Sequence, residues 1–428
     1  MRRFSGLLAT LVGLVGCTAD APPHRELAPK PVFRTVRKVA HGRLEEHGGL
    51  RLLRLWGTAR ERGRAHGVLL AEEIASLYRR ELEARFSHQP GVLLRARAML
   101  PLMVRYPADV DEEIKAMFEA VVEHASIALP RFRRNLDLID ARVINAMDVL
   151  ATMGCSGFSV WGDQVAGGGV LSTRNFDWPI TGRYLAERCL LVVQHPADGT
   201  AFATVGWPGY VGAVTGVSAE GVAIYLHVGN SRGRLPRPGS MPAAVAARRI
   251  LAGAGRKGTA PLSAEDVFTR AKEELAETSP PRGYLARVVL PNAGEGHPAR
   301  VFEVDLEGVT WQVDSARCVV TNHFLSRLGQ RRVSRDSEQR RIALEGCLER
   351  VADAGRAITR DDAWATLAAV ERRRANFATL HSLVFRAEPW VFELALAEWR
   401  DGAAAPVAAP SSSRRFRLPR AQLFAPVD

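Results

Sequence analysis

Gly154 and Cys155 open the stretch "GCSGFSVWGDQVAGGGVLSTRNFDWP", which closes with Arg174, Asn175, Phe176, Asp177, Trp178 and Pro179. Short apolar runs flank the glycines at 167–169, the pattern of two strands joined by a turn. Such a hairpin carries a thiol at one end and returns Arg174 and Asp177 beside it. The sulfur of Cys155 is open to three readings: a buried thiol, half of a disulfide, or a nucleophile. As a nucleophile it must lose its proton, so it needs a base, positive charge for the thiolate and donors for a later oxyanion. No local Cys-His-Asn pattern supplies these. If the Gly154–Cys155 peptide is broken, however, the freed α-amine of Cys155, with a pKa near ~8, lies within covalent reach of its own thiol and can act as the base. Asp177 would then orient that amine, and Arg174 would support the charge.

Other chemistries find little support. The chain has no Cys-x-x-Cys, no His-Glu-x-x-His and no Gly-x-Ser-x-Gly, so no zinc, redox or serine-hydrolase motif is present, and neither metal nor cofactor is expected. Gly253-Ala254-Gly255-Arg256-Lys257-Gly258 has dinucleotide-loop spacing but follows a helical pattern, which suits a helix stop. His227, His323 and His381 are scattered. Cys189, Cys318 and Cys347 could pair in an oxidising compartment, although their spacing forms no dense framework.

The elements that must position this chemistry follow from periodicity. From Thr58 to Thr152 apolar residues recur at helical intervals; after Cys155 the chain reads as strands with glycine turns through Val228. Helices are expected at Pro242–Leu251, Ala264–Ala276 and Asp336–Ala354. Strands are expected at Leu285–Val289, Ala299–Val304, Thr310–Asp314 and Cys318–Val320, and a final hairpin around Glu388-Pro389. This order predicts an α+β fold of two sheets packed between helical layers. Residues 401–428 have the composition of a low-complexity tail.

At 428 residues and 47% apolar content the chain can bury a large core. Its formal net charge of +12 is mostly arginine without interleaved aromatics, which suits solvated faces and argues against a nucleic-acid partner. Met1-Arg2-Arg3, the apolar run Phe4–Gly16 and Leu14-Val15-Gly16-Cys17 form a lipobox-like leader too short to span a bilayer. The expectation is cleavage before Cys17, acylation there and an exported protein lipid-anchored in a bacterial cell envelope, with residues 18–40 as a tether.

The motifs "GCSGF", "STRNFDWP", "GWPGYVGAVTGVSAEGVAIYLHVGN" and "VVTNHF", in this order, resemble those of amino-terminal-nucleophile (Ntn) hydrolases of the isopenicillin-N acyltransferase group. Choloylglycine hydrolases, penicillin V acylases and acid ceramidase are more distant relatives of that group. The resemblance spans roughly Gly57 to Ala397 and includes "GTARERGRAHG" in the helical lead. It implies a four-layer αββα sandwich, with residues 41–154 a helical prosegment and 155–400 the catalytic domain. Self-cleavage between Gly154 and Cys155 would leave two chains that stay associated. It further implies Cys155 as nucleophile, Arg174 and Asp177 as its charged neighbours, and Asn322 as an oxyanion donor through its side-chain amide. A backbone donor near His227 or Val228 and an arginine, Arg340 or by spacing Arg335, complete the implied set. Ser156-Gly157 stands where Thr-Ser is commoner in the group, and His227 where an asparagine is common. The implied activity is hydrolysis of a linear amide in an N-acylated small molecule through a thioester. Transfer of the acyl group to an amine is the alternative within this class, and a non-catalytic envelope lipoprotein is the alternative outside it.

Overall fold

Near-continuous buried runs along the central strands, such as Leu190–Gln194, Ala223–Val228 and Tyr284–Val289, require cover on both faces of each sheet, and the chain meets this with four layers. The computed structural model describes residues 32–147, 154–179, 182–229, 237–257, 260–280, 282–292, 296–312, 317–326, 333–374, 377–400, 403 and 405–427. The leader, Cys17 and most of the expected tether lie outside these.

A ten-stranded sheet runs in the order Arg34–Val39, Gly42–His47, Leu50–Gly57, Leu190–Pro196, Phe202–Gly206, Thr215–Ser218, Ala223–Val228, Tyr284–Val289, Ala299–Asp305, Gly308–Gln312. It is antiparallel except where Leu50–Gly57 pairs parallel with Leu190–Pro196. A seven-stranded sheet has the order Arg317–Val320, Gly154–Trp161, Val170–Pro179, Phe377–Arg386, Val391–Leu396, Arg415–Pro419, with Arg373–Arg374 also paired to Phe377–Arg386. Leu52, Leu191, Val193, Leu285 and Val289 of the first sheet meet Val320, Leu383, Phe385 and Leu394 of the second in one core between them. The alternate residues Leu53, Leu55, Val192, Ile224 and Val288 face outward into the helices Ala59–Phe86, Ala108–His124, Ala243–Ala252 and Ala264–Ala276. On the far side, Phe158, Val160, Leu171 and Val384 pack under the helices Arg335–Asp353 and Arg360–Ala368 through Leu344, Leu348, Trp364 and Leu367. The fold is therefore an αββα sandwich.

Two readings of the sequence change here. Residues 34–57, divided above between a tether and a helical prosegment, are three strands of the first sheet, so the amino-terminal segment is structural rather than purely helical. Within the segment read as a low-complexity tail, Arg415–Pro419 is an edge strand beside Val391–Leu396, and Arg54 donates to the Gln422 and Leu423 carbonyls. Phe416 and Leu418 are buried and the intervening Arg417 is exposed, the period-2 pattern of a half-buried strand.

The helical lead is bound to the rest by close packing and buried charge. A Cβ on Gly63 or Gly67 would lie 2.3 Å from the Glu113 or Met117 carbonyl oxygen, so these glycines, four apart on one face, let the helices Ala59–Phe86 and Ala108–His124 touch backbone to backbone. Between them Glu113, wholly buried, accepts from Arg62 at 3.0 Å, from Arg248 at 2.5 Å and from Gln194 at 3.2 Å. Burial alone would raise its pKa, but the two guanidiniums outweigh this and hold the carboxyl below its ordinary range. Breaking a buried group of this kind typically costs about 3–5 kcal/mol.

Candidate active site

The hairpin forms as its pattern requires. Gly154–Trp161 pairs antiparallel with Val170–Pro179, placing Gly154 opposite Asp177 and Cys155 opposite Phe176. On its other edge Gly154–Trp161 pairs with Arg317–Val320, with Val320 opposite Gly157, so Asn322 emerges beside Cys155. Gly154 is required by space: a Cβ there would meet the Phe377 ring at 2.6 Å and Asp177 Oδ2 at 2.9 Å.

Around Cys155 the expected residues converge. Arg174 Nη2 donates to Sγ at 3.1 Å, and Sγ lies 3.5 Å from the Leu226 carbonyl oxygen. The Cys155 N–H donates to Asn322 Oδ1 at 2.8 Å, and the same oxygen accepts from Arg340 Nη2 at 2.8 Å. Arg340 Nη1 donates to the Cys155 carbonyl at 2.7 Å. Asn322 Nδ2 donates to the Val228 carbonyl at 3.1 Å, while the Asn322 N–H is held by Ser337 Oγ at 2.7 Å. Cys155, Arg174, Asp177 and His227 are fully buried, and Asn322 and Arg340 nearly so.

Backbone alternation separates the two candidate donors on Ala223–Val228. The Gly229 N–H donates to Gly283 across the ladder with Tyr284–Val289, so His227, two residues earlier in the same register, turns its N–H to that strand. Leu226 donates to Val214 on the opposite edge, and Val228 presents its N–H on that edge together with the carbonyl that Asn322 holds. Val228 N–H and Asn322 Nδ2 are thus neighbours. Of the two candidate arginines, Arg340 lies in the site; Arg335 opens its helix on the exposed side.

Burial pushes the Cys155 thiol up to about 11, with Arg174 and Arg340 pulling it down and Asp177 pushing it up. The thiol of the uncut chain is therefore protonated at neutral pH. No histidine relieves it. Burial first, then Arg174, Arg287 and Arg340, hold His227 well below the usual imidazole range; His381, buried and stacked on Phe176 at 4.9 Å, is lowered for the same leading reason. Cys155, Cys189, Cys318 and Cys347 are all buried, and none of the four is joined in a disulfide among the described residues. Among these residues there is also no group of three or more His, Cys, Asp or Glu able to hold a metal ion.

Two partners of Asp177 escaped the sequence reading. Thr379 Oγ1 donates to Oδ1 at 2.7 Å, and Arg372 Nε lies 3.2 Å from Oδ2. Both come from segments far along the chain, and nothing in "ERRRANFATL" distinguishes Arg372 from its neighbours.

No family model matches the chain. It is 27% identical over 210 residues to Protein dcd1B of Dictyostelium discoideum, a match covering 44% of this chain and 40% of that protein. It is 24% identical over 240 residues to an uncharacterized protein of Archaeoglobus fulgidus, covering 51% and 40%. The matches span about two fifths of the length of these curated relatives. Among solved structures, an N-acylethanolamine-hydrolyzing acid amidase ortholog of Caenorhabditis elegans aligns with TM-score 0.37 and 16% identity, over 55% of this chain and 93% of that one. A conjugated bile acid hydrolase of Clostridium perfringens gives 0.39 and 12%, over 56% and 89%. Penicillin V acylase of Agrobacterium tumefaciens gives 0.33 and 10%, over 57% and 83%. These names describe the neighbours; the αββα assignment rests on the sheets and helices of this chain itself.

Proposed function

We propose that the chain is a self-processing cysteine amidase of the amino-terminal-nucleophile type, acting on linear amides of N-acylated small molecules. The observation that carries this reading is the Cys155 backbone nitrogen held by Asn322 while its own sulfur is held by Arg174, with Asp177 across the ladder. In the first step Sγ attacks the Gly154 carbonyl and the C–N bond breaks, giving a thioester and a free α-amine; water then releases the Gly154 carboxylate. In turnover the α-amine takes the thiol proton, the thiolate attacks the substrate carbonyl, and Val228 N–H and the Asn322 amide receive the oxyanion. The α-ammonium returns its proton to the leaving amine, and water activated by the α-amine hydrolyses the thioester. Arg340 would hold the Cys155 carbonyl, fixing the new terminus.

Intact-mass analysis of active protein should show two pieces, one beginning at Cys155; activity from a single uncut chain would sink the mechanism. Incubating the cut protein with N-acyl amino acids, penicillins, bile-salt conjugates and N-acyl lipids, with and without a competing amine, would identify the acyl group. New amide product in the amine-containing samples would mark acyl transfer in place of hydrolysis.

Export and lipid anchoring are part of the same proposal, supported by Leu14-Val15-Gly16-Cys17 after the apolar run. Among the described residues no helix is long and apolar enough to cross a membrane. The wild-type protein should be recovered in the detergent-extracted membrane fraction, and Cys17→Ala should shift it to soluble or uncut material. A soluble wild-type protein whose leader is removed elsewhere would refute the anchor.

A further inference from the structure

Asp177 is one corner of a closed ring of four charges. Its Oδ2 lies 3.2 Å from Arg372 Nε and 3.7 Å from Arg340 Nη1. The same two guanidiniums converge on Oδ2 of Asp336, Arg340 through Nε at 3.2 Å and Arg372 through Nη2. Three separate segments contribute: Asp177 from the hairpin, Asp336 and Arg340 one turn apart on the helix Arg335–Asp353, and Arg372 from the stretch preceding Phe377–Arg386. The inner corner is buried opposite Gly154, and the outer corner, Asp336, is about half exposed. The Arg372 guanidinium also lies 4.8 Å over the Phe377 ring, which closes off space at Gly154. With two charges of each sign the ring is neutral.

We infer that Arg372 and Asp336 are positioning residues that, through this ring, set the proton affinity of the reactive amine and thiol at Cys155. The amine exists only after self-cleavage, so that half of the inference rests on the amidase reading. The other charged or titratable groups around Cys155 are Arg174 on its own hairpin, Arg287 on Tyr284–Val289, and His227, which burial keeps neutral; Asn322 is uncharged. Against this fixed background a neutral ring adds little net field, and deleting one member unbalances it. Asp336→Asn leaves the ring net positive, which disfavours the ammonium and favours the thiolate. Arg372→Gln leaves it net negative and does the reverse. A tie that served only to hold the segments together would give effects of the same sign in both variants.

The test follows alkylation of Cys155 by iodoacetamide across pH in the self-cleaved full-length protein, read by mass on the peptide that starts at Cys155, with thermal melting alongside. The Asp336→Asn profile should move to lower pH and the Arg372→Gln profile to higher pH, each by roughly half a unit to one unit, since a single charge at this range acts through a screened, partly exposed ring. Shifts in the same direction, no shift in either, or a variant that stays uncut where the wild type cleaves would overturn the inference. Should the wild-type chain itself prove uncut, the amidase reading falls, while alkylation of the internal thiol still reads the ring and must show the same opposed shifts.

Discussion

Cys155→Ala should leave the chain whole and abolish activity, the largest effect expected of any single substitution. Without Sγ nothing attacks the Gly154 carbonyl, so no α-amine is freed, and base and nucleophile are lost together. The replacement is sterically mild: alanine is smaller than cysteine, and Arg174 loses one acceptor while its ring contact with Phe176 at 5.3 Å stays available. Cys155→Ser should still process, more slowly, because its hydroxyl is the weaker nucleophile and needs the same proton removed. Gel mobility and intact mass over time distinguish the three chains. A Cys155→Ala protein that still divides before residue 155 would show that another group, or a contaminating protease, cuts the bond.

The protonated thiol of the uncut chain makes the order of events testable in the same experiment. In the precursor the thiol is held up by burial, so processing should accelerate as pH rises toward the thiol range. Once cut, the amine near ~8 becomes the controlling base, and turnover should rise around that lower pH instead. Coincident profiles for processing and turnover would argue against the amine as base.

The sequence made the hairpin legible because a strand's period of two fixes which residues return to which face: with three glycines for the turn, Asp177 had to lie near Gly154. Arg340 was legible for a different reason that the spacing argument left unused. Ser337, Arg340, Leu344, Cys347, Leu348 and Val351 are the buried face of their helix, at intervals of three and four, and Arg335 falls off that stripe. The strand at 415–419 carried its alternation openly but stood beside an alanine- and serine-rich stretch whose composition masked it. Arg34–Val39 had no such signal: it is an edge strand exposed along nearly its whole length, held by backbone pairing to Gly42–His47. The Asp177–Arg372–Asp336–Arg340 ring was beyond any local pattern, since it joins segments that meet only through tertiary packing.

Asn322→Ala tests the oxyanion role. The side chain does two jobs in the uncut chain: Oδ1 accepts from the Cys155 N–H and from Arg340, and Nδ2 sits at the Val228 carbonyl beside the Val228 N–H. Losing Oδ1 leaves two buried donors short of an acceptor, which costs about 1–3 kcal/mol of stability. Losing Nδ2 removes a donor needed only when charge develops on the attacked oxygen, which typically costs about 3 kcal/mol of transition-state stabilisation, or ~100-fold in turnover, with KM little changed. Because the same donor serves self-cleavage, the measurement needs a chain already divided, made by coexpressing residues 18–154 with a second chain that starts at Cys155. Asn322→Asp separates the two jobs, since it keeps the acceptor for Cys155 and Arg340 while removing the amide donor. If the amide is the oxyanion donor, Asn322→Asp should turn over at least as poorly as Asn322→Ala although Cys155 and Arg340 keep their acceptor, while its second oxygen, set against the Val228 carbonyl in place of the amide donor, should lower the melting temperature. A pre-cut Asn322→Ala protein with a lowered melting temperature and near-normal turnover would leave Asn322 as a strut for Cys155 and Arg340, and the oxyanion would then rest on Val228 without it.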